Sequence, residues 1–246
     1  TWFENSDSSF YLYNNTTGNK YSISKNIPFK VCDELNDVPN IPNPYGIGGW
    51  TTNDEYVLVY DRYDIWKIAA DGVSEPIKLT NGREENTVFR LQDVNYDSVN
   101  IGLDEKILFK ATNETNWQEG YFSATVRNGS PQKLIMLDNK FMSILKSKKS
   151  EKLVFQKCSY TEYFDLWKTD MSFAEIKKIT DANPQQKDYL WGSVELVYWK
   201  DSSGVDQKGL LYKPENFDAN KKYPMITYFY EKYTDKFHTH YIPNPS

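Results

Sequence analysis

Cysteine is nearly absent from this 246-residue chain: Cys32 and Cys158 are the whole supply. Two thiols cannot make a disulfide framework, and the sequence leaves open whether they pair. Histidine is equally scarce, at His238 and His240 only. Two imidazoles at alternate positions, without a supporting thiolate or carboxylate set, fall short of a zinc site. A flexible or partly ordered tail is the expectation for them, and neither a metal site nor a cofactor is expected. No apolar run approaches the ~20 residues of a membrane helix, so no membrane span is expected. Positive charge is also short, with 29 Lys and Arg against 34 Asp and Glu and a net charge of −5. That balance argues against a phosphate-binding surface and hence against a nucleic-acid partner. The one basic cluster, Lys146-Ser147-Lys148-Lys149, falls where two strands must be joined and reads as a solvated turn. Sustained 3.6-residue apolar periodicity is missing, which excludes long amphipathic helices.

What is present is aromatic and repetitive. Phe, Trp and Tyr make up 16% of the chain, and these residues suit pleated, half-buried surfaces. The segment Asp64-Ile65-Trp66-Lys67-Ile68 returns as Asp165-Leu166-Trp167-Lys168-Thr169, each followed by a short strand ending in Leu79-Thr80 or Ile179-Thr180. An acidic residue opens an apolar strand at Glu55, Glu105 and Glu151, at intervals of 50 and 46 residues. Each is answered by an aromatic-containing strand around Trp66, Tyr121 or Trp167. The chain then turns at Asp71-Gly72 and Asn128-Gly129, dipeptides that readily take positive φ. The third copy has Asp170-Met171 there and needs another turn geometry. A truncated fourth copy precedes them, with Phe10-Tyr11-Leu12-Tyr13, a turn at Thr17-Gly18 and a strand from Lys20 to Ile23. Three to four strands in a unit of this length is the size of a β-propeller blade. A β-sandwich also has short strands with regular turns, but it does not explain the recurring order. The expected fold class is therefore all-β, with about four blades of a larger propeller in residues 1–204.

The pattern breaks near the end. After the strand Val194–Trp199 and a turn at Ser202-Ser203-Gly204 come Gly209-Leu210-Leu211-Tyr212-Lys213-Pro214, a polar stretch from Glu215 to Lys222, and Tyr223-Pro224-Met225-Ile226-Thr227-Tyr228-Phe229-Tyr230. That last run reads as a strand entered through proline and buried on both faces, as in the sheet of an α/β domain. Residues 205–246 are thus expected to be a linker and the start of a truncated domain, and the chain to be a piece cut at both ends. The run from Gly209 to Phe217, followed by Lys222-Tyr223-Pro224 and an aromatic strand, resembles the junction in the prolyl oligopeptidase and dipeptidyl peptidase IV family. There a propeller precedes an α/β-hydrolase domain. The blade motif is similar to propellers of that family and of the TolB type.

The resemblance implies a serine exo- or oligopeptidase whose propeller gates short peptide substrates, a homodimer of the full-length protein, and an extracytoplasmic bacterial location. The family's nucleophile sits on a G-x-S-x-G elbow; no such motif occurs in these 246 residues, so nucleophile, acid and base are expected outside this chain. One catalytic position carries over. The tyrosine that ends the family's first hydrolase strand and donates to the oxyanion falls on Tyr230, although Glu231-Lys232-Tyr233 follow where the family has a Gly-Pro turn. Glu84-Glu85 is similar to the family's paired glutamates for a substrate amino terminus, but those lie on a helical insertion in an early blade, whereas this pair follows a Leu-Thr-Asn-Gly turn in a later one and reads as ordinary exposed surface. Tyr45-Gly46-Ile47-Gly48-Gly49-Trp50 lacks phosphate-loop spacing and reads as a sharp inter-blade connection. Asp61-Arg62-Tyr63-Asp64 reads as blade-to-blade hydrogen bonding. Asn15-Thr16-Thr17, Asn113-Glu114-Thr115 and Asn128-Gly129-Ser130 match the glycosylation pattern as an Asn-rich chain does by chance. Two other functions stay open: a free-standing propeller that binds proteins or peptides, and a carbohydrate-active propeller, which needs paired inward carboxylates.

Overall fold

The computed structural model describes residues 1–95, 98–229 and 232–242. Strands follow one another in antiparallel meanders, as the alternation of apolar runs and turn residues demands. The first sheet holds β1 (Trp2–Glu4), β2 (Ser9–Tyr13) and β3 (Lys20–Ser22). The second holds β4 (Ile47–Trp50), β5 (Tyr56–Tyr60), β6 (Ile65–Ala69) and β7 (Ile77–Lys78). The third is β8 (Thr87–Gln92), β9 (Lys106–Asn113), β10 (Glu119–Thr125) and β11 (Gln132–Leu137). The fourth is β12 (Lys140–Lys146), β13 (Lys152–Cys158), β14 (Asp165–Asp170) and β15 (Lys177–Lys178). A hairpin of β16 (Ser193–Lys200) and β17 (Asp206–Lys213) completes the order. These are propeller blades, and the described residues contain no α-helix, only short 3-10 turns.

The chain divides into two compact units, one of Thr1–Asn113 with Gly120–Ile135, the other of Glu114–Glu119 with Met136–Ser246. In the first, Val57, Leu58 and Val59 of β5 are wholly buried, so this strand is covered on both faces. Burying each such side chain stabilises the fold by about 1.5–3 kcal/mol. Phe10 and Leu12 of β2 pack with Val57, Val59, Trp66 and Ile68 in one cluster. The turn at Gly72 has φ +73°, and a Cβ there would sit 2.7 Å from the Tyr21 ring, whose hydroxyl donates to Ala70 O. In the second unit Phe155 packs on Phe141 and Phe173 (5.5 and 5.9 Å between centroids). The third-copy turn does use another geometry: Asp170 Oδ1 accepts from Ser172 N, and Phe173 takes φ +53°.

Several expectations need correction. Ile47–Trp50 is the first strand of the second sheet, with a bulge between Ile47 and Gly49, not a connection. Glycine is needed because a Cβ on Gly48 would lie 2.8 Å from the Tyr60 hydroxyl. His238 and His240 are buried rather than on a flexible tail. Beside these, the β16–β17 hairpin is paired from Ser193↔Lys213 to Lys200↔Asp206, with residue 205 in its turn. Met225 to Phe229 have no ladder partner among the described residues, and Ile226 and Phe229 are 95% and 88% exposed. A strand sequence without a neighbouring edge has nowhere to place its backbone hydrogen bonds except water.

Candidate functional site

The recurring Asp-x-Trp-Lys segment first makes a structural site. Asp64 is fully buried. Its Oδ1 accepts from Thr80 Oγ1 (2.6 Å) and Gly82 N (2.5 Å), and its Oδ2 from Arg83 N (3.2 Å). Thr80 Oγ1 in turn accepts from Ile65 N (3.0 Å). The second copy repeats this: Asp165 Oδ1 accepts from Thr180 Oγ1 (2.6 Å) and Ala182 N (2.9 Å), and Thr180 Oγ1 accepts from Leu166 N (2.9 Å). Burial alone would raise the Asp165 pKa, but Lys178 (2.6 Å), Thr180 and the Ala182 amide outweigh it and hold it below the ordinary value. Each Asp–Thr pair fastens the inner aromatic strand to the segment leaving its blade. Such fully satisfied buried polar groups stabilise, whereas a partner left alone is costly.

Asp61 is also taken up locally. It accepts from Tyr63 N, Asp64 N and Trp66 Nε1, while Arg90 of β8 donates to the Asp61 and Arg62 carbonyls. The expected hydrogen bonding between blades is thus carried by Arg90. Glu84 and Glu85 stand exposed on the 3-10 turn Arg83–Glu85, with Glu84 accepting from Asn81 Nδ2. Arg83 reaches Glu34 through both terminal nitrogens. Cys32 and Cys158 are both buried free thiols. The two histidines have different surroundings. His238 Nε2 lies 3.3 Å from Asn116 O, whereas His240 stacks on Trp191. Among the described residues no cluster of three His, Cys, Asp or Glu could hold a metal. Tyr230, the candidate oxyanion donor, lies outside the described residues.

An aromatic recess in the second unit escaped the sequence reading. Its cavity of about 730 Å³ is lined by Tyr160, Tyr163, Tyr189, Trp191, His240 and Tyr241, with Asn183, Gln185 and Gln186 at its polar side. Trp191 is held by a reciprocal pair: its Nε1 donates to Tyr160 O (2.7 Å) and its carbonyl accepts from the Tyr160 hydroxyl (3.3 Å). The His240 ring lies 4.9 Å from Trp191 at an interplanar angle of 9°, and Tyr163 and Phe164 meet it edge-on. Both its ring nitrogens are buried without a well-formed hydrogen bond. Burial pushes its pKa down, offset in part by the Tyr160 and Ser159 backbones, so the imidazole is a neutral wall at pH 7. The rim is set by the 3-10 turn Pro184–Asp188, where Gln186 Nε2 donates to Thr161 O (2.8 Å). Tyr160, Trp191 and His240 are far apart in sequence and only the fold joins them; the cluster of aromatics at Tyr160, Tyr163 and Phe164 was the one available signal.

No family model matches the chain, and no curated protein matches it in sequence. Among solved structures it is similar to a putative dipeptidyl aminopeptidase IV from Bacteroides ovatus, at 18% identity and a TM-score of 0.59, over 88% of this chain and 32% of that one. It is also similar to the AtxE2 isopeptidase in its apo form, at 13% identity and a TM-score of 0.50, over 88% of this chain and 31% of that one. The chain spans about a third of the length of these structures. At such identities the likeness concerns the fold, and it agrees with the strand order: the chain is made of β-propeller blades.

Proposed function

We propose that the chain is the later part of the propeller of a serine exo- or oligopeptidase of the prolyl oligopeptidase and dipeptidyl peptidase IV family, followed from residue 205 by the linker to an α/β-hydrolase domain. In this reading the blades gate short peptides, and the triad lies outside the chain. The single observation that carries it is the exposed run Met225–Phe229, directly after the linker-like stretch from Gly209 to Pro224. Five consecutive residues of strand composition without a partner suit the first strand of a sheet supplied by further chain. The similarity to a putative dipeptidyl aminopeptidase IV supports the same choice. Tyr230, next in sequence, is the proposed oxyanion donor, and an extracytoplasmic location and a homodimer belong to the same proposal. The stand-alone binding propeller is the second reading, favoured by the aromatic recess, which needs no hydrolase.

The test is to express the native reading frame through Ser246 and beyond, beside the 246-residue chain. A fluorophosphonate serine probe should label the longer polypeptide stoichiometrically and leave the chain unlabelled. Labelling of the chain itself, or of neither, contradicts the proposal.

A further inference from the structure

The aromatic recess differs from the rest of this molecule in charge. Asp, Glu, Lys and Arg make up 26% of the chain, yet none is among the described residues lining the recess. Burial also raises the pKa of Tyr160, and burial followed by the nearby Tyr241 raises that of Tyr212, which packs on Tyr160. Ring faces, phenol hydroxyls, a few aliphatic groups and side-chain amides are what it offers. At its mouth Tyr189 and Leu190 are 69% and 77% exposed, large apolar groups held out into water by the short turn that precedes them. Apolar side chains gathered at a cavity mouth mark a contact surface more often than scattered ones do.

The recess adjoins a second cleft of about 600 Å³ that shares Tyr163, Tyr189 and Trp191 with it. There the balance turns acidic. Asp165 is paired with Lys178, and Glu162 with Lys157 from β13. Asp181 and Glu215, the latter accepting from Gly192 N (3.0 Å), remain as charges against Lys187. Asp181 is mostly exposed and only 3.6 Å from the already engaged Lys178. A neutral ring-lined floor ending at surplus carboxylates suits a chain molecule that is apolar along one stretch and positive at the next. A neutral sugar would use the rings and amides and could donate its hydroxyls to the carboxylates, but it brings no positive charge to offset them. Proline-bearing peptides fit the floor because an extended polyproline segment is already ordered, presents flat ring faces and docks on aromatic side chains at low entropic cost.

We propose that this recess and its acidic margin form a docking site for an extended peptide carrying a neutral, proline-rich stretch followed by a lysine or arginine. The site is made only of residues from the second unit and stands without the peptidase reading. The test is calorimetric titration of the 246-residue chain with acetyl-Pro-Pro-Pro-Pro-Lys-amide, whose blocked amino terminus leaves lysine as the one cation. The expected result is saturable binding in the sub-millimolar range, at least fivefold weaker for the peptide ending in Glu. Tyr189→Ser, a change at an exposed ring that leaves the Trp191–Tyr160 pair in place, should weaken binding at least fivefold. Asp181→Asn should weaken the Lys peptide and narrow the gap between the two peptides. Absence of saturation up to 5 mM by the folded chain, equal affinity for both peptides, or tighter binding of cellohexaose would each overturn the proposal.

Discussion

The two copies of the Asp-x-Trp-Lys segment start from almost the same residues and end in different environments. In both, the aspartate, the threonine and the strand amide form the same three-centre arrangement, with the carboxylate nearly or fully out of water. Three residues upstream they diverge. Asp61 receives the Trp66 indole N–H at 2.9 Å. Its counterpart Glu162 is longer by one methylene and is drawn instead to Lys157 and Asn139. Trp167 Nε1 is left buried with no partner, and Lys157 Nζ lies 4.0 Å from its ring centroid. The lysines after tryptophan differ as well: Lys67 is buried and donates to Val126 O, whereas Lys168 is exposed. What recurs is the Asp–Thr lock, and the groups around it have drifted with their neighbours. The lock is what a blade of this type needs; the indole hydrogen bond is optional.

The comparison can be broken most forcefully at the lock. Asp64→Ala leaves a hydroxyl and two amides without their acceptor in a dry site, and is expected to cost about 3 kcal/mol or more. Asp165→Ala should cost about 2–3 kcal/mol, since Lys178 can turn toward water. Urea unfolding, read by hydrogen exchange within each unit, gives both numbers; a loss below about 1 kcal/mol in the first would mean that the lock is ornamental. The indoles sharpen the contrast. Trp66→Phe and Trp167→Phe remove similar packing, but only the first breaks a hydrogen bond and strands Asp61 Oδ2. It should cost about 1–2 kcal/mol more than the second. Equal losses would show that the Trp66–Asp61 bond contributes nothing.

A smaller difference separates the segments by pH. Burial lowers the pKa of both histidines below 6.5. The Asn116 carbonyl, and after it Asp138 and Glu119, partly offset the burial of His238, and His240 faces the phenols of Tyr160 and Tyr163. The docked 234–242 segment binds fewer protons than the released one. Its docking is therefore at full strength above pH 6.5 and weakens as pH falls below that value. Exchange protection there, corrected for intrinsic rate, should drop between pH 7 and 5 while β5 and β6 stay protected. Asp165 adds the acid limb: because its pKa is lowered, it stabilises the second unit above the ordinary 3.8, and that stabilisation is lost as pH falls below it. Asp165→Asn should flatten that limb. An unchanged acid profile would contradict the assignment.

Much of this architecture was legible in the chain. The spacing of Glu55, Glu105 and Glu151, the paired Trp strands and the Gly72 and Gly129 turns correspond to real strands and positive-φ turns. The recurrence of Leu79-Thr80 and Ile179-Thr180 was visible, but not why threonine is there, because its partner is a buried carboxylate fifteen or sixteen residues earlier. β4 was missed because Gly46, Gly48 and Gly49 look like a loop, whereas close approach to Tyr60 demands small residues in a strand. The run at Met225–Phe229 has strand composition but no edge to join, and composition cannot report a neighbour. The recess left only the aromatic cluster at Tyr160, Tyr163 and Phe164 as a trace in the sequence. Tyr160, Trp191 and His240 meet only through tertiary packing, and the burial of His240 depends on a tryptophan distant in sequence.

The most direct test of the lock is a pair of double-mutant cycles, Asp64→Ala with Thr80→Val and Asp165→Ala with Thr180→Val, read as unfolding free energies of the unit that holds each pair. Residues in one hydrogen-bond network should show coupling of about 1–2 kcal/mol, alike in the two copies. Coupling indistinguishable from zero in either copy would contradict the claim that the recurring sequence encodes an Asp–Thr lock.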